Sequence, residues 1–597
     1  MAPFLLKRLA TFIITLAVAS MVVFVVLELL PGNAAEVILG DSATPQSLAA
    51  LQTQLGLDRP PLQRYLQWAG GLLHGQTAAS ISYGSPSAEL IAERLRVSVP
   101  LALLAMALTV ALALPLGLYA AARHRRLGDL GVMAASQLGI AIPSFWFAIV
   151  LILVFAVQLQ WFSAGGFPGW TEDEGGGLAE GFKALLLPAL ALAVVQAAIL
   201  TRVTRSAVVE VMHEDFVRTA QGQGPDAAPG AVAACAAQRD DPGADSGGAA
   251  VRQPDHRHHR GRERLRAAGP GAVGVPGRRQ PRPGGGARRG DAAGRRGGGR
   301  QLHRRCAGGT HRPAAASSMN SAEITRALRH PSFALGALLT ALLAAAALLS
   351  LLWSPYPPAD IDIPAKLQRP SAAHWLGTDS LGRDLFSQLL VGSQNSILVG
   401  LIAVGIGLAA GVALGCLAAA RRGWVEEAIM RAADLAFAFP ALLSALMLTA
   451  IYGPGLGRSI VAIGIFNIPV FARITRAAAN AVWARDFITA ARAAGKGPLA
   501  ITLDHVLPNI ASPLVVQASI SFATAILAEA ALSYLGLGTQ APQPSWGRML
   551  GEAQAQMFQA PLLALYPGVA IVLSVLGLNL MGDGLRDLLD PRLARRR

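Results

Sequence analysis

The sequence is poor in charged residues and in cysteine. Asp, Glu, Lys and Arg make up 15% of its 597 residues, whereas 53% are hydrophobic and the mean hydropathy is +0.44. Because soluble domains carry about 25% charged residues, this balance excludes an ordinary soluble protein. The three cysteines, Cys235, Cys306 and Cys416, are irregularly spaced and cannot form a disulfide framework or a credible zinc site.

Motifs of nucleotide and catalytic chemistry are also missing. The sequence has no Gly-x-x-x-x-Gly-Lys-Ser/Thr loop, and no Ser/His/Asp, paired-carboxylate or metal-ligand constellation stands on a soluble domain. We therefore expect no enzymatic activity, no cofactor and no metal site.

Long apolar runs predict an all-α integral membrane protein. A helix needs about 20 apolar residues to cross a bilayer, where its backbone hydrogen bonds must be satisfied within the segment. Ten runs are candidate spans: 9–30, 98–122, 132–158, 184–201, 333–353, 395–420, 435–452, 459–472, 512–530 and 561–581. The first is longer than the apolar part of a signal peptide, so we expect a retained span.

The basic residues predict the orientation, because Lys and Arg in short loops stay in the cytoplasm. They cluster before the first run, after the second and fourth runs, and at the end of the chain, whereas the loop between the third and fourth runs is acidic. We therefore expect a multi-pass protein of the bacterial inner membrane with both termini in the cytoplasm.

The chain contains an internal repeat. Arg202 to Ala220 matches the segment that begins Arg473-Ile-Thr-Arg476 at 8 of 19 positions without a gap. The chain is thus predicted to be two related membrane units in tandem, with about six spans intended in each. We call residues 1–220 the first repeat and residues 319–597 the second repeat.

Residues 221–318, between the repeats, have a different composition. They contain 18 Arg but no Lys, Ile, Met, Phe, Tyr, Trp or Asn. Such a segment cannot bury a core, and we predict that it is disordered. One interpretation is an Arg-rich arm that binds nucleic acid or anionic lipid. The other is translation in the wrong frame.

The genetic code favours a frame error. Read one base later, Gln221-Gly-Gln-Gly224 can encode Arg-Ala-Lys-Gly, which continues the repeat. In the same hidden frame, Arg300 to Pro313 can encode Val-Asn-Phe-x-Val-Asp-Val-Leu-x-x-x-x-Asp-Pro. We predict a one-base slip near residue 220 that removes two spans of the first repeat and fuses it to a second gene starting near Met319.

A connector of small residues lies between two spans of the second repeat. Thr489-Ala-Ala-Arg-Ala-Ala-Gly495 is followed nine residues later by His505-Val-Leu-Pro508. A short helix of small residues that ends at a glycine presents a shallow surface to a soluble partner. An ordinary amphipathic connector is the alternative.

The connector resembles the EAA loop of permease subunits of bacterial ABC importers, with Thr489 at the glutamate position and His505 at the isoleucine position. The resemblance implies a docking loop for separate ATP-binding subunits. Its residues would be Asp486, Phe487, Thr489, Ala490, Ala491, Gly495, His505, Leu507 and Pro508.

Other strings resemble two permease types of the dipeptide/oligopeptide/nickel importer family. Leu376-Gly-Thr-Asp-Ser-Leu-Gly-Arg-Asp384 and Leu532-Ser-Tyr-Leu-Gly-Leu-Gly538 are similar to the C-type permease, and Pro143-Ser-Phe-Trp146 is similar to its B-type partner. The resemblance implies a type I permease that imports di- or oligopeptides or a related solute such as nickel. The implied partners are the ATP-binding subunits, an extracytoplasmic solute-binding protein, a partner permease subunit and membrane lipid, with no nucleic acid.

Four charged residues are candidates for the receptor side or the transport pathway. Asp379, Arg383 and Asp384 form either a solvated cluster or a contact for an external binding protein. Glu529 lies near the outer end of a span, where charge is costly. It either lines a pathway or is an interfacial glutamate whose hydrogen bonds are satisfied.

Other functions compete with import. An ion-coupled transporter would place paired ionisable groups near the membrane midplane, and the nearly charge-free runs disfavour it. A membrane anchor with an Arg-rich nucleic-acid-binding arm lacks the aromatic residues on which bases stack. A defective pseudogene product is the remaining alternative, because the first repeat has lost its docking loop.

Overall fold

The computed structural model of the protein describes residues 2–29, 35, 39, 44–77, 79–80, 83–214, 217, 330–439 and 441–589. Regular structure in these ranges consists of helices, without a β-strand. The predicted all-α fold class is therefore confirmed. The segment 221–318, with its predicted disorder, lies outside the described residues.

Each repeat is built from a succession of helices. The first repeat has α1 (Ala2–Leu29), α2 (Pro45–Gln54), α3 (Pro61–Leu73), α4 (Ser87–Ala122), α5 (Leu127–Ala141), α6 (Ser144–Leu151, extended by the π-helical residues Ile152–Gln158) and α7 (Leu178–Val211). The second has α8 (Pro331–Leu352), α9 (Leu385–Arg421), α10 (Gly423–Ala438), α11 (Ala441–Tyr452), α12 (Leu456–Trp483), α13 (Asp486–Ala493), α14 (Pro498–Ile501), α15 (Leu507–Tyr534), α16 (Trp546–Gln554) and α17 (Leu562–Leu589).

Eight helical segments in the described ranges are long and apolar enough to cross a membrane, or nine if one bent pair is a single span. The eight are α1, α4, α7, α8, α9, α12, the continuous helix from α14 through α15, and α17. Each coincides with one of the ten predicted runs. The two other predicted runs, 132–158 and 435–452, are each divided between two of the described helices.

Both divided runs contain an internal proline, Pro143 in the first and Pro440 in the second. The run 132–158 is split at Pro143 into α5 and α6, which are bent by 100°. The run 435–452 falls on the end of α10 and on α11, whose 12 residues extend only about 18 Å, well short of the roughly 30 Å apolar core of a bilayer. Proline cannot continue a helix without losing a backbone hydrogen bond, and it restricts the preceding residue.

The internal repeat is visible in the packing. A Cβ atom on Gly117 of α4 would lie 2.7 Å from Cβ of Thr204 on α7, and one on Gly415 of α9 would lie 2.6 Å from Cβ of Thr475 on α12. Only glycine permits such close approach of two helices. The same helix pair therefore packs at the same point in both repeats.

The buried core has two main clusters. One lies within the second repeat among α9, α12 and α15, and includes Val399, Phe471 and Ile510. The other joins the two repeats, because Trp146 and Ile149 of α6 are buried with residues of α15, α16 and α17.

Candidate functional site

The predicted docking helix is present and ends at the predicted glycine. α13 runs from Asp486 to Ala493, and Gly495 has φ of +82°. The amide of Gly495 donates to the carbonyl of Arg492 at 2.9 Å, and the amide of Lys496 donates to that of Ala491 at 3.1 Å. This is a Schellman cap, which needs a left-handed residue at the glycine position.

One face of the connector packs on the second repeat and the other is open. Ile488 and Ala491 are buried. Phe487, Leu499 and Leu503 are 45%, 72% and 55% exposed. The nine predicted docking residues divide accordingly: Asp486, Phe487, Thr489, Ala490 and Gly495 are exposed, His505, Leu507 and Pro508 are half-buried, and Ala491 is buried.

The two ends of the predicted motif meet in space. The side chain of Lys496 contacts Asp504 Oδ2 at 2.8 Å and His505 Nε2 at 3.3 Å. The His505 ring lies against Phe487, with ring centroids 6.3 Å apart. The result is a shallow apolar surface of small and exposed side chains with a basic and an acidic group on one edge. We call residues 486–508 the connector surface.

The predicted receptor-side cluster is buried, so its solvated alternative is wrong. Asp379, Arg383 and Asp384 are 7%, 5% and 3% exposed. Arg383 Nε donates to Asp379 Oδ2 at 2.6 Å, and its Nη2 donates to Glu552 of α16 at 2.5 Å. Burial disfavours the charged form of Arg383, but the two carboxylates outweigh it and raise the pKa of the guanidinium. Asp384 caps α9 by accepting from the amide of Ser387 at 2.8 Å.

Glu529 is buried in α15 beside the loop that follows this helix. Its Oε1 accepts hydrogen bonds from the hydroxyls of Ser533 at 2.6 Å and Thr539 at 3.3 Å. Its Oε2 has no protein partner among the described residues. The geometry ties the end of α15 to the loop but leaves one oxygen of the carboxylate without a partner among the described residues, so both alternatives for Glu529 stay predictions.

Comparison with known proteins identifies the family. The profile of the inner membrane component of binding-protein-dependent transport systems matches residues 113–225 and again 411–595, and the profile of the N-terminal part of such components matches residues 1–90. The dipeptide transport system permease protein of Alkalihalophilus pseudofirmus is 45% identical over 228 residues, which are 38% of this chain and 75% of that protein. The chain belongs to the ABC-importer permease family.

Two further relatives are also peptide-related permeases. The di/tripeptide transport system permease protein of Pseudomonas aeruginosa is 45% identical over 278 residues, which cover 45% of this chain and 92% of that protein. The glutathione transport system permease protein of Pectobacterium atrosepticum is 46% identical over 224 residues, covering 38% of this chain and 74% of that protein. Because the component profile matches twice, this chain is a fusion of two permease repeats.

The permease repeats contact each other through an interface that the sequence did not predict. Trp146 Nε1 of α6 donates to the carbonyl of Ala564 on α17 at 2.9 Å. The indole lies so close to Gly568 that a Cβ there would fall 1.8 Å from Nε1. Phe145 stacks on Tyr534 with centroids 5.0 Å apart. The only signal in the sequence was the aromatic pair after Pro143.

A polar contact adds to this interface. Arg202 Nη2 on α7 lies 3.0 Å from Asp583 Oδ2 on α17, and Gln137 Nε2 on α5 donates to the same carboxylate at 2.6 Å. Polar pairs between packed membrane helices contribute to their association because the alternative is an unsatisfied group in hydrocarbon. The polar groups therefore join three helices from both permease repeats.

Proposed function

We propose that the connector surface docks an ATP-binding subunit and that the second permease repeat couples nucleotide-driven closure of that subunit to solute import. The observation that carries the proposal is an exposed surface of small residues held on a rigid cap, with Phe487, Leu499 and Leu503 available to a partner. A bare helical face lets a partner approach closely, and exposed apolar groups supply the buried contact area.

A bulky side chain on α13 tests the docking role. In Ala490→Trp, the indole stands on the exposed face of a helix without a change of backbone conformation. We expect the full chain to lose co-purification with the ATP-binding subunits of its host's peptide importer, because steric overlap acts against a specific partner. The matched control is Ala555→Trp, an exposed alanine at the end of α16. Equal co-purification of both variants would refute docking here.

We propose peptides of a few residues, including glutathione, as the imported solutes, delivered by an extracytoplasmic solute-binding protein. The names of the three relatives support peptides over nickel. Uptake of labelled dipeptide, glutathione and Ni²⁺ should be compared in cells that carry this chain together with an intact first-type subunit. Uptake of Ni²⁺ alone would reject the peptide class.

We propose that the chain crosses the inner membrane with both ends and the connector surface in the cytoplasm. The basic clusters around the spans support this orientation. In intact spheroplasts, a membrane-impermeant thiol reagent should not label a cysteine placed at Leu499, which is 72% exposed, and should label it after permeabilisation. Labelling before permeabilisation would reverse the topology.

We propose that a one-base slip near codon 220 interrupts the first repeat. The first match to the component profile ends at residue 225, whereas the second continues to residue 595. The first repeat would then retain no connector surface of its own, so a single ATP-binding subunit would dock on each chain. Sequencing the gene around codon 220 decides the matter, and a correct written frame confirmed by mass spectrometry of the protein would refute the slip.

A further inference from the structure

The short helix α3 has an apolar side that is only partly covered. Tyr65 is 8% exposed, because its ring lies edge-on to Phe24 of α1 with centroids 5.5 Å apart. Leu62, Leu66 and Leu73, by contrast, are 61%, 60% and 88% exposed. We call these three residues the leucine face. Large apolar side chains grouped on one face of a helix mark a surface that contacts a partner or a membrane.

The leucine face forms one stripe along α3. At 3.6 residues per turn, positions four, seven or eleven residues apart fall on the same side of a helix, and the three leucines have these spacings. Arg64 and Gln67 fall on the other side. α3 therefore has an apolar stripe and a polar side, which is the pattern of a helix that lies in a membrane interface.

The charges on α1 mark where this helix enters and leaves the apolar layer. Arg8 and Glu28 are 20 positions apart, which at 1.5 Å per residue is about 30 Å, the thickness of the hydrocarbon core of a bilayer. Arg64 of α3 forms an ion pair with Glu28. The guanidinium of Arg64 therefore lies at the level of the lipid headgroups.

The neighbouring residue of α3 contacts α1 at a deeper level. The Tyr65 hydroxyl lies 2.8 Å from Ser20 Oγ and donates to the carbonyl of Ala17 at 3.3 Å. These two residues precede Glu28 by 8 and 11 positions, or about 12–16 Å along the helix axis. α3 therefore lies at the boundary itself, with Arg64 turned to the headgroups and Tyr65 turned to the hydrocarbon.

The surroundings of the leucine face favour lipid as its partner. Among the described helices, the main neighbour of α1 is α3. The α1 residues Phe12, Leu16 and Met21 are 59%, 54% and 36% exposed. In a component of the inner membrane, such side chains on a spanning helix face the acyl chains. The leucine face extends this apolar surface at the end of α1.

We propose that α3 is an interfacial helix whose leucine face inserts into the acyl-chain layer of the leaflet in which α1 ends, with phospholipid as its partner. Interfacial helices bury their apolar face about 5–10 Å into the boundary between headgroups and acyl chains. Anchored in this way, α3 fixes the height and tilt of α1 in the bilayer. In the proposed orientation this is the outer leaflet. A reversed topology would change the leaflet but not the contact with lipid, and ATPase docking at the connector surface has no part in it.

Fluorescence quenching of the full chain in liposomes tests the contact with lipid. An environment-sensitive fluorescent amino acid replaces Leu66, or Leu73 as a second site on the leucine face. Gln67, an exposed neighbour on the polar side, is the matched control. Phospholipid with a nitroxide near the headgroup end of its acyl chain quenches from within the bilayer, and iodide on both sides of the membrane quenches from water.

At positions 66 and 73 we expect emission at shorter wavelength, strong quenching by the lipid nitroxide and little quenching by iodide. At position 67 we expect the reverse. A nitroxide near the methyl end of the acyl chain should quench positions 66 and 73 less than the shallow one, because an interfacial helix does not reach the middle of the bilayer.

A charge on the leucine face provides a second test. Leu62→Asp should make the probe at position 66 more accessible to iodide, since a carboxylate in hydrocarbon is costly. Gln63→Asp, at an exposed position outside the leucine face, should leave the quenching at position 66 unchanged. Equal quenching at positions 66 and 67, or stronger quenching by the deep nitroxide, would overturn the proposal. Protection of position 66 from iodide that appears only when a solute-binding protein is added would also overturn it.

Discussion

Arg383 holds together two parts of the second repeat that are far apart in sequence, and its removal should be costly. Arg383→Gln leaves Asp379 without its cation in a site where the arginine is only 5% exposed. Breaking a buried ion pair by removing one partner costs about 3–5 kcal/mol because the other charge stays buried. The remaining hydrogen bonds determine where in this range the variant lies.

Both carboxylates keep some of their partners in the variant. Asp379 still accepts from the amide of Leu381 at 2.8 Å and from Gln388 Nε2 at 2.9 Å, and Glu552 keeps Arg548 at 2.7 Å. Glu552 is also 37% exposed at its side chain, so water screens part of its charge. The cost should therefore be near the lower limit, about 3 kcal/mol.

Thermal unfolding of the detergent-solubilised full chain, followed by tryptophan fluorescence, measures this loss. At about 2–4 °C per kcal/mol for a domain of this size, the midpoint should fall by roughly 6–12 °C. Arg94→Gln is the control, because the Arg94 side chain is 75% exposed and 4.0 Å from its acidic neighbour, so that its contribution is below about 1 kcal/mol. A midpoint shift no larger than that of the control would refute the buried ion pair.

Two further variants test packing. Gly382→Ala should destabilise the second repeat severely, because a Cβ would lie 1.7 Å from the carbonyl oxygen of Asp362. Gly536→Ala is the control: Gly536 has nearly the same φ but faces open space, so this variant should lose only the roughly 1–2 kcal/mol of left-handed strain. Equal thermal unfolding midpoints of the two variants would contradict this prediction. Trp146→Ala should weaken the association of the two repeats, since it removes the indole that packs on Gly568 and donates to α17. If the chain is cut by protease between the repeats, the variant halves should separate on size exclusion under conditions in which the wild-type halves stay together; co-elution of the variant halves would contradict an interface role.

The sequence was sufficient where a property is local. The apolar runs predicted the eight described helices that are long and apolar enough to cross a membrane, and the glycine at the end of a small-residue helix predicted the cap at Gly495, because both depend on neighbours along the chain. The sequence failed where a distant residue decides the environment. The string around Asp379 and Arg383 shows only charges, and the acid that completes their burial, Glu552, is 169 residues from Arg383.

The repeat itself separates what the fold requires from what the interface requires. Arg205 bonds Asp129 at 2.6 Å, and its counterpart Arg476 bonds Glu426, also at 2.6 Å, so this pair is made within each repeat although the acid differs. The ion pair is kept although the acid is Asp in one repeat and Glu in the other, and in each repeat it joins a long span, α7 or α12, to a shorter helix, α5 or α10. The neighbouring Arg202 instead donates a hydrogen bond to Asp583 of the second repeat. Where equivalent residues of the two repeats contact different partners, they therefore mark the surface on which the repeats meet.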